Sequence, residues 1–251
     1  LVSACFGQAR GGAVAERPAV AYTLNGTLYL ASESGQVVKK IGAPVPIGDF
    51  AISPDLKTVI FASAVPGVLG GPFLIMDVAS GRIDPMMPDP YFNDASVAGD
   101  LTEFYTDPEF SPDGKRVVFA VHAAGQGSEV HTSGPLAILN LATREVSIVK
   151  STVASDGLPY GHMRNPHWSP DGRQILGNIE GRAFFADVDG PAMTEAKIPE
   201  SEFSQSGASY GMHAIGWLGG ECVLYQAGET PERDPARVLQ LRTQMTSPAA
   251  E

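Results

Sequence analysis

The sequence predicts an all-β fold, a β-propeller of four-stranded antiparallel blades, with five blades expected. Three observations predict it: a Ser-Pro-Asp-Gly-type turn that returns at a fixed step, a second turn inside each repeat, and a surplus of turn-forming residues. Glycine (28) and proline (20) lie well above ordinary usage and show no collagen-like period, so the surplus belongs to many turns and therefore to many short strands. The turn itself recurs along the chain. Segments 49–61, 108–119 and 166–176 align, and their serines Ser53, Ser111 and Ser169 each stand 58 residues after the last.

The motif is turn chemistry. In Ser53-Pro54-Asp55, Ser111-Pro112-Asp113-Gly114 and Ser169-Pro170-Asp171-Gly172, proline presets φ for the second position of a type I turn. Aspartate bonds nearby backbone, and glycine accepts the positive φ that closes the loop. An apolar residue precedes each motif (Ile52, Phe110, Trp168) and an apolar, β-branched run follows, as in Val117-Val118-Phe119. Each motif is thus a hairpin tip, and its Ser and Asp are structural residues.

Downstream of each hairpin a second strand pair carries its own turn: 73–78 before Ala79-Ser80-Gly81, 136–141 before Ala142-Thr143-Arg144, and 183–188 before Asp189-Gly190. Four strands per repeat make one propeller blade. Two weaker copies flank these, one around the hairpin signal Asn25-Gly26 and one around Trp217-Leu218-Gly219-Gly220. The expected organisation is a signal remnant or tether at 1–17, one propeller at 18–245 and a tail at 246–251. Its blades fall near 18–47, 48–100, 101–160, 161–205 and 206–245, the first without an evident innermost strand. Segments 64–71 and 122–134 are expected to project as loops, the second carrying His122 and His131, and the acidic stretches 84–90 and 100–107 to be solvated loops.

Composition narrows the function. A net charge of −11, with 17 Lys and Arg that form no stripe, leaves no footprint for nucleic acid. No apolar run is long enough to span a bilayer as a helix. Two cysteines, Cys5 and Cys222, make neither a disulfide framework nor a zinc knuckle, and Cys222 reads as a small buried strand residue. Leu1-Val2-Ser3-Ala4-Cys5 has the form of a bacterial lipoprotein signal ending at a lipidated cysteine. Cys5 is accordingly the lipidation candidate, and the alternative is an incidental cysteine in an ordinary N-terminal segment.

The Ser-Pro-Asp-Gly-(Lys/Arg) repeats over 48–200 resemble those of TolB-type propellers, a repeat shared with the propeller domains of prolyl-oligopeptidase-like hydrolases. The resemblance implies architecture and an exported, periplasmic or cell-surface location. TolB proteins carry in addition an N-terminal α/β domain whose pattern is not found in these residues, so the resemblance does not extend to an envelope-spanning role or a lipoprotein partner. Serine-hydrolase chemistry is not expected either, because no α/β-hydrolase pattern is present to hold a nucleophile elbow.

One cluster departs from the repeat. Tyr160-Gly161-His162-Met163-Arg164-Asn165-Pro166-His167-Trp168 resembles Tyr210-Gly211-Met212-His213-Ala214-Ile215-Gly216-Trp217, both entering an innermost strand near the propeller axis. His162, His167 and His213, with Tyr160, Tyr210 and Arg164, are therefore candidates for a polar ligand or a divalent metal at the axial channel. The competing reading has them lining a wet channel or packing between blades, with Trp168 and Trp217 as inter-blade core. Two functions follow: a monomeric protein-, small-ligand- or carbohydrate-binding scaffold that meets membranes only through a lipid anchor, or a metal-dependent carbohydrate lyase or hydrolase. Oligogalacturonate lyases, propellers with His-rich axial sites, supply the analogy for the second.

Overall fold

In a computed structural model, the described residues are 2–3, 20–32, 34–63, 73–86, 101–125, 131–153, 164–179, 182–196, 212–217, 222–227 and 237–240. Among them the secondary structure is entirely strand apart from a 3-10 turn at Lys150–Thr152. The chain divides into two compact units, Leu1–Ala98 with Glu103–Pro108 and Gly99–Thr102 with Glu109–Glu251.

The first unit holds two antiparallel meanders. One runs β1 (Val2–Ser3), β2 (Val20–Leu24), β3 (Thr27–Ala31) and β4 (Val37–Ile41) in spatial order. The second runs β5 (Ile47–Ile52), β6 (Thr58–Ser63), β7 (Phe73–Asp77) and β8 (Ile83–Pro85). Strand β1 lies in the stretch expected to be a tether, and its pairing of Val2 with Tyr22 gives the first sheet an innermost strand that the repeat pattern could not reveal. Two residues are too few for a periodic signal.

In the second unit β9 (Leu101–Phe110), β10 (Arg116–Gly125), β11 (His131–Asn140) and β12 (Val146–Ile148) form one sheet, β9 starting and ending in that unit while its middle, Glu103–Pro108, is counted with the first. Strands β13 (Arg164–Trp168), β14 (Gln174–Ile179), β15 (Arg182–Asp187) and β16 (Met193–Glu195) form the next. Strands β17 (Met212–Trp217), β18 (Cys222–Ala227) and β19 (Arg237–Gln240) form a three-stranded last sheet. Repeated short meanders of this kind are propeller blades.

Burial follows strand position. In β3, Leu28 and Leu30 are buried while Tyr29 between them is not, the alternation of a strand with one covered face. In the central strands, Val59, Ile60 and Phe61 of β6 and Val117 to Val121 of β10 are buried without a break. Continuous apolar runs mean that both faces of these strands are covered. The first unit's core gathers Leu28, Leu30, Ile47, Phe50, Phe61 and Met76, and the second's gathers Val118, Leu136, Ile138, Trp168 and Ile175. Full burial of each large side chain stabilises by about 1.5–3 kcal/mol.

The repeated turns have one geometry. Each serine hydroxyl donates to the aspartate two residues on at 2.6–2.7 Å and accepts the backbone N–H of Thr58, Arg116 or Gln174 at 2.9 Å. The same carboxylate oxygen accepts the N–H of Lys57, Lys115 or Arg173 at 3.1 Å. Ser53, Ser111 and Ser169 are buried by this arrangement. The serine hydroxyl bonds first, and the backbone N–H next, hold the Asp55, Asp113 and Asp171 carboxyls below their ordinary range. Gly114 and Gly172 take the left-handed slot at φ 69° and 70°, and Leu56 takes it at 62° without being glycine. A second recurring bond ties the two turns of each blade: Val78, Leu141 and Val188 donate backbone N–H to the carbonyls of Lys57, Lys115 and Arg173 at 2.8, 3.0 and 3.0 Å.

Two expected loops are strands instead. Residues 122–125 and 131–134 extend the β10–β11 hairpin, with Ala124 opposite His131 and His122 opposite Ser133, and His122 is buried. His122 continues the unbroken buried run of β10, which a Gly-Ser-rich composition conceals. A Cβ at Gly134 would meet the Val121 carbonyl at 3.0 Å, so glycine there admits close strand approach beside the register shift. The acidic stretch 100–107 lies largely in β9, where Phe73 packs against Tyr105 with ring centroids 5.7 Å apart. Segment 64–71 lies outside the described residues.

Candidate functional site

The innermost strands β9, β13 and β17 bring together the residues two and one before each turn serine: Glu109 and Phe110, His167 and Trp168, and, by alignment of the tryptophans, Gly216 and Trp217. A bulge precedes them in β13 and again in β17, between Arg164 and His167 and between Ala214 and Gly216. Asn165 enters the left-handed region at φ 49° in the first of these. Asparagine and aspartate tolerate that conformation best among residues with a side chain, and the offset sets the side chain of His167 toward β9.

Glu109 is the hub. Its Oε2 lies 2.7 Å from His167 Nδ1, its Oε1 accepts the Trp168 backbone N–H at 3.0 Å, and its carbonyl accepts the Trp168 indole N–H at 3.1 Å. One blade further on, Trp217 Nε1 donates to the His167 carbonyl at 3.2 Å. The indole bond is therefore a repeated device, each tryptophan addressing the main-chain oxygen of the residue two before the preceding serine. Arg116 adds a third tie, with its guanidinium 4.8 Å from the Trp168 ring centroid and Nη2 donating to the Gly172 carbonyl at 3.2 Å. The Phe185 and Trp217 rings pack at 5.5 Å. Trp168 and Trp217 are inter-blade residues, as their aromatic character suggests.

In the first unit, Asp49 of β5 occupies the bulge position of its own inner strand. Burial, followed by the negative charge of Asp107, raises its carboxyl above the ordinary range, partly offset by a hydrogen bond from the Asp107 backbone.

Of the residues singled out from the sequence, His167 stands at this junction, Arg164 opens β13 opposite Asn178, and His213 lies in β17 opposite Gln226. Tyr160, His162, Tyr210 and Cys5 lie outside the described residues. Among the described residues no three His, Cys, Asp or Glu side chains stand together as a metal site. His167 Nδ1 is engaged by the carboxylate, so Nε2 is the nitrogen a ligand would have to use. Sequence reading missed Glu109, although a signal existed: aligning the repeats places it one step before His167 in the same column. The string Gly207-Ala208-Ser209-Tyr210-Gly211 also has nucleophile-elbow spacing, which the repeat pattern obscures. It too lies outside the described residues, among which no α-helix follows a strand in the way that motif requires.

Solved structures share this fold. A TolB-type protein from Agrobacterium tumefaciens is similar with a TM-score of 0.58 at 18% identity, over 87% of this chain and 71% of that one. TolB from Acinetobacter baumannii is similar with a TM-score of 0.50 at 15% identity, over 86% of this chain, which spans 46% of that protein's length. A prolyl endopeptidase is similar with a TM-score of 0.51 at 15% identity, over 88% of this chain and 34% of that one. No protein-family model matches the chain, and no curated protein sequence matches it. The fold is that of a TolB-like β-propeller, the architecture the Ser-Pro-Asp-Gly repeats imply.

Proposed function

We propose that this chain is an extracytoplasmic propeller that binds a protein or small ligand on one face, serving as a scaffold rather than a catalyst. The observation that carries the reading is the commitment of its repeated polar groups: each turn serine and aspartate closes its own hairpin, and the Glu109 carboxylate ties one blade to the next. Groups held this way position a surface without being free to react. Export is supported by likeness to TolB structures and by the lipoprotein-like Leu1–Cys5 segment, whose cleavage before a lipidated Cys5 would remove the Val2–Ser3 strand and leave β2 to β4 in the first sheet. Crosslinking pull-down from envelope fractions tests the reading, using alanine substitutions across 64–71, 126–130 and 156–163. At least one set should abolish capture while the melting temperature holds, and capture that survives all three would overturn it.

A second reading, a metal-dependent carbohydrate lyase or hydrolase, is favoured by one feature. A carboxylate orienting Nδ1 of a histidine is the arrangement that fixes metal-ligating imidazoles. His162, His167 and His213 would then supply ligands. Metal analysis of the purified protein separates the two readings, since a stoichiometric ion lost in His167→Ala would favour the enzyme and its absence the scaffold.

A further inference from the structure

We infer that the outer edge of β4 is a docking edge for an extended acidic peptide, which would add to the first sheet as a further strand. Among the described residues strand β4 closes that sheet and pairs only with β3. It is five residues long, against three in β8, β12 and β16 and four in β19, so it offers the longest outer edge of the five sheets. Strand β8 ends in Pro85, which has no N–H to donate, whereas β4 contains no proline.

Its side chains match the backbone. Residues Val37 to Lys40 are all exposed, and Val37 at 46% and Val38 at 42% are, with Leu24, the large apolar side chains left exposed among the described residues. The pairing passes from Lys39 opposite Leu30 directly to Val37 opposite Ala31, so Val38 is the extra residue of a bulge and two valines face one partner. The next two residues, Lys39 and Lys40, are adjacent exposed cations in a chain with 28 acidic and 17 basic side chains. Lys40 sits 5.7 Å from the Tyr29 ring centroid, and Tyr29 stacks on Tyr22 at 5.3 Å, which steadies one cation over a half-buried aromatic face.

Charge chooses the occupant. A second copy pairing antiparallel through β4 would set lysines opposite lysines, a repulsive arrangement that natural sheets use to keep edges apart. A strand with adjacent Glu or Asp residues meets both lysines, one on each face of the sheet, while the apolar residues that follow meet Val37 and Val38. Main-chain bonds supply affinity in such strand addition and alternate side chains supply selectivity. The inference rests on the first sheet alone and stands or falls independently of the scaffold proposal.

Fluorescence anisotropy tests it with a labelled peptide of repeating Glu-Glu-Val-Val, which presents glutamate on both faces, titrated into the full chain. Saturable binding is expected, weakened about tenfold or more in Lys39→Glu/Lys40→Glu, since two exposed ion pairs at about 0.5–1 kcal/mol each amount to roughly that factor. The same peptide N-methylated at alternate residues should fail to bind, and a lysine-for-glutamate peptide should bind no better than the double variant does. The melting temperature of the double variant guards against a folding artefact. No saturable binding up to millimolar peptide, or binding indifferent to both the charge reversal and N-methylation, overturns the proposal. Sedimentation revealing a dimer that dissociates on changing Val37 and Val38 would overturn it too, in favour of a second copy.

Discussion

The two units join their blades by different means. In the first, the two sheets share an apolar cluster of Leu28, Leu30, Ile41, Ile47, Phe50 and Phe61, supported by a backbone bond from Ile47 N–H to the Gly26 carbonyl at 2.9 Å. In the second, an apolar cluster is overlaid by directional bonds from Trp168, Trp217, His167 and Arg116 to the neighbouring blade. The same four-stranded template therefore admits two kinds of joint. Apolar burial supplies most of the stability, and the polar ties fix angle and register at the inner strands.

Substitutions can break or sharpen that contrast. The largest effect belongs to what the units share: Leu30→Ala in the first cluster and Leu136→Ala in the second, both fully buried, should each cost about 2–5 kcal/mol in urea denaturation. Unequal losses would show that one joint leans on its apolar core more than the other. Next comes Glu109→Ala, which strands the Trp168 backbone N–H and the His167 ring and should cost about 2–3 kcal/mol, with Glu109→Gln costing less than half as much. A glutamine as costly as the alanine would mean that charge, and not hydrogen-bond acceptance, holds the junction. Trp217→Phe keeps a ring against Phe185 while deleting one indole bond, for a loss of about 1 kcal/mol.

Acid gives the smallest and most selective probe. The Asp55, Asp113 and Asp171 carboxyls are depressed, so their contribution is present above the unfolded value near 4 and lost as pH falls through the folded one. Asp49 is raised, so its sign is opposite: it favours the fold when protonated and opposes it as pH rises. Asp49→Asn should raise the melting temperature at pH 7, with the gain shrinking as pH falls through the raised folded value and gone below about 4. An equal gain at both pH values would assign the effect to packing.

Much of the fold was legible because turn chemistry is local. Ser-Pro-Asp-Gly, Asn25-Gly26 and the β-branched runs each name their own structure within a few residues, and Asn25 and Gly26 do adopt positive φ. What escaped was nonlocal or too short. Strand β1 depends on pairing with residues about twenty positions away, the β10–β11 extension looked like a flexible insertion, and Glu109 acts on residues one repeat onward. The candidate site was read in part: His167 and the tryptophans were visible as residue types, but their carboxylate partner was visible only as a column in the repeat.

The tryptophan bond also bears on how such a molecule diversifies. Because each indole addresses a main-chain oxygen, it is indifferent to the side chain carried there, and that column holds Glu109 in one blade and His167 in the next. Adjacent inner strands can thus change the side chain at this column and keep the indole bond, while an acid such as Glu109 adds further ties of its own to Trp168 and His167. Interchangeable positions on a fixed frame let recognition drift while architecture stays put.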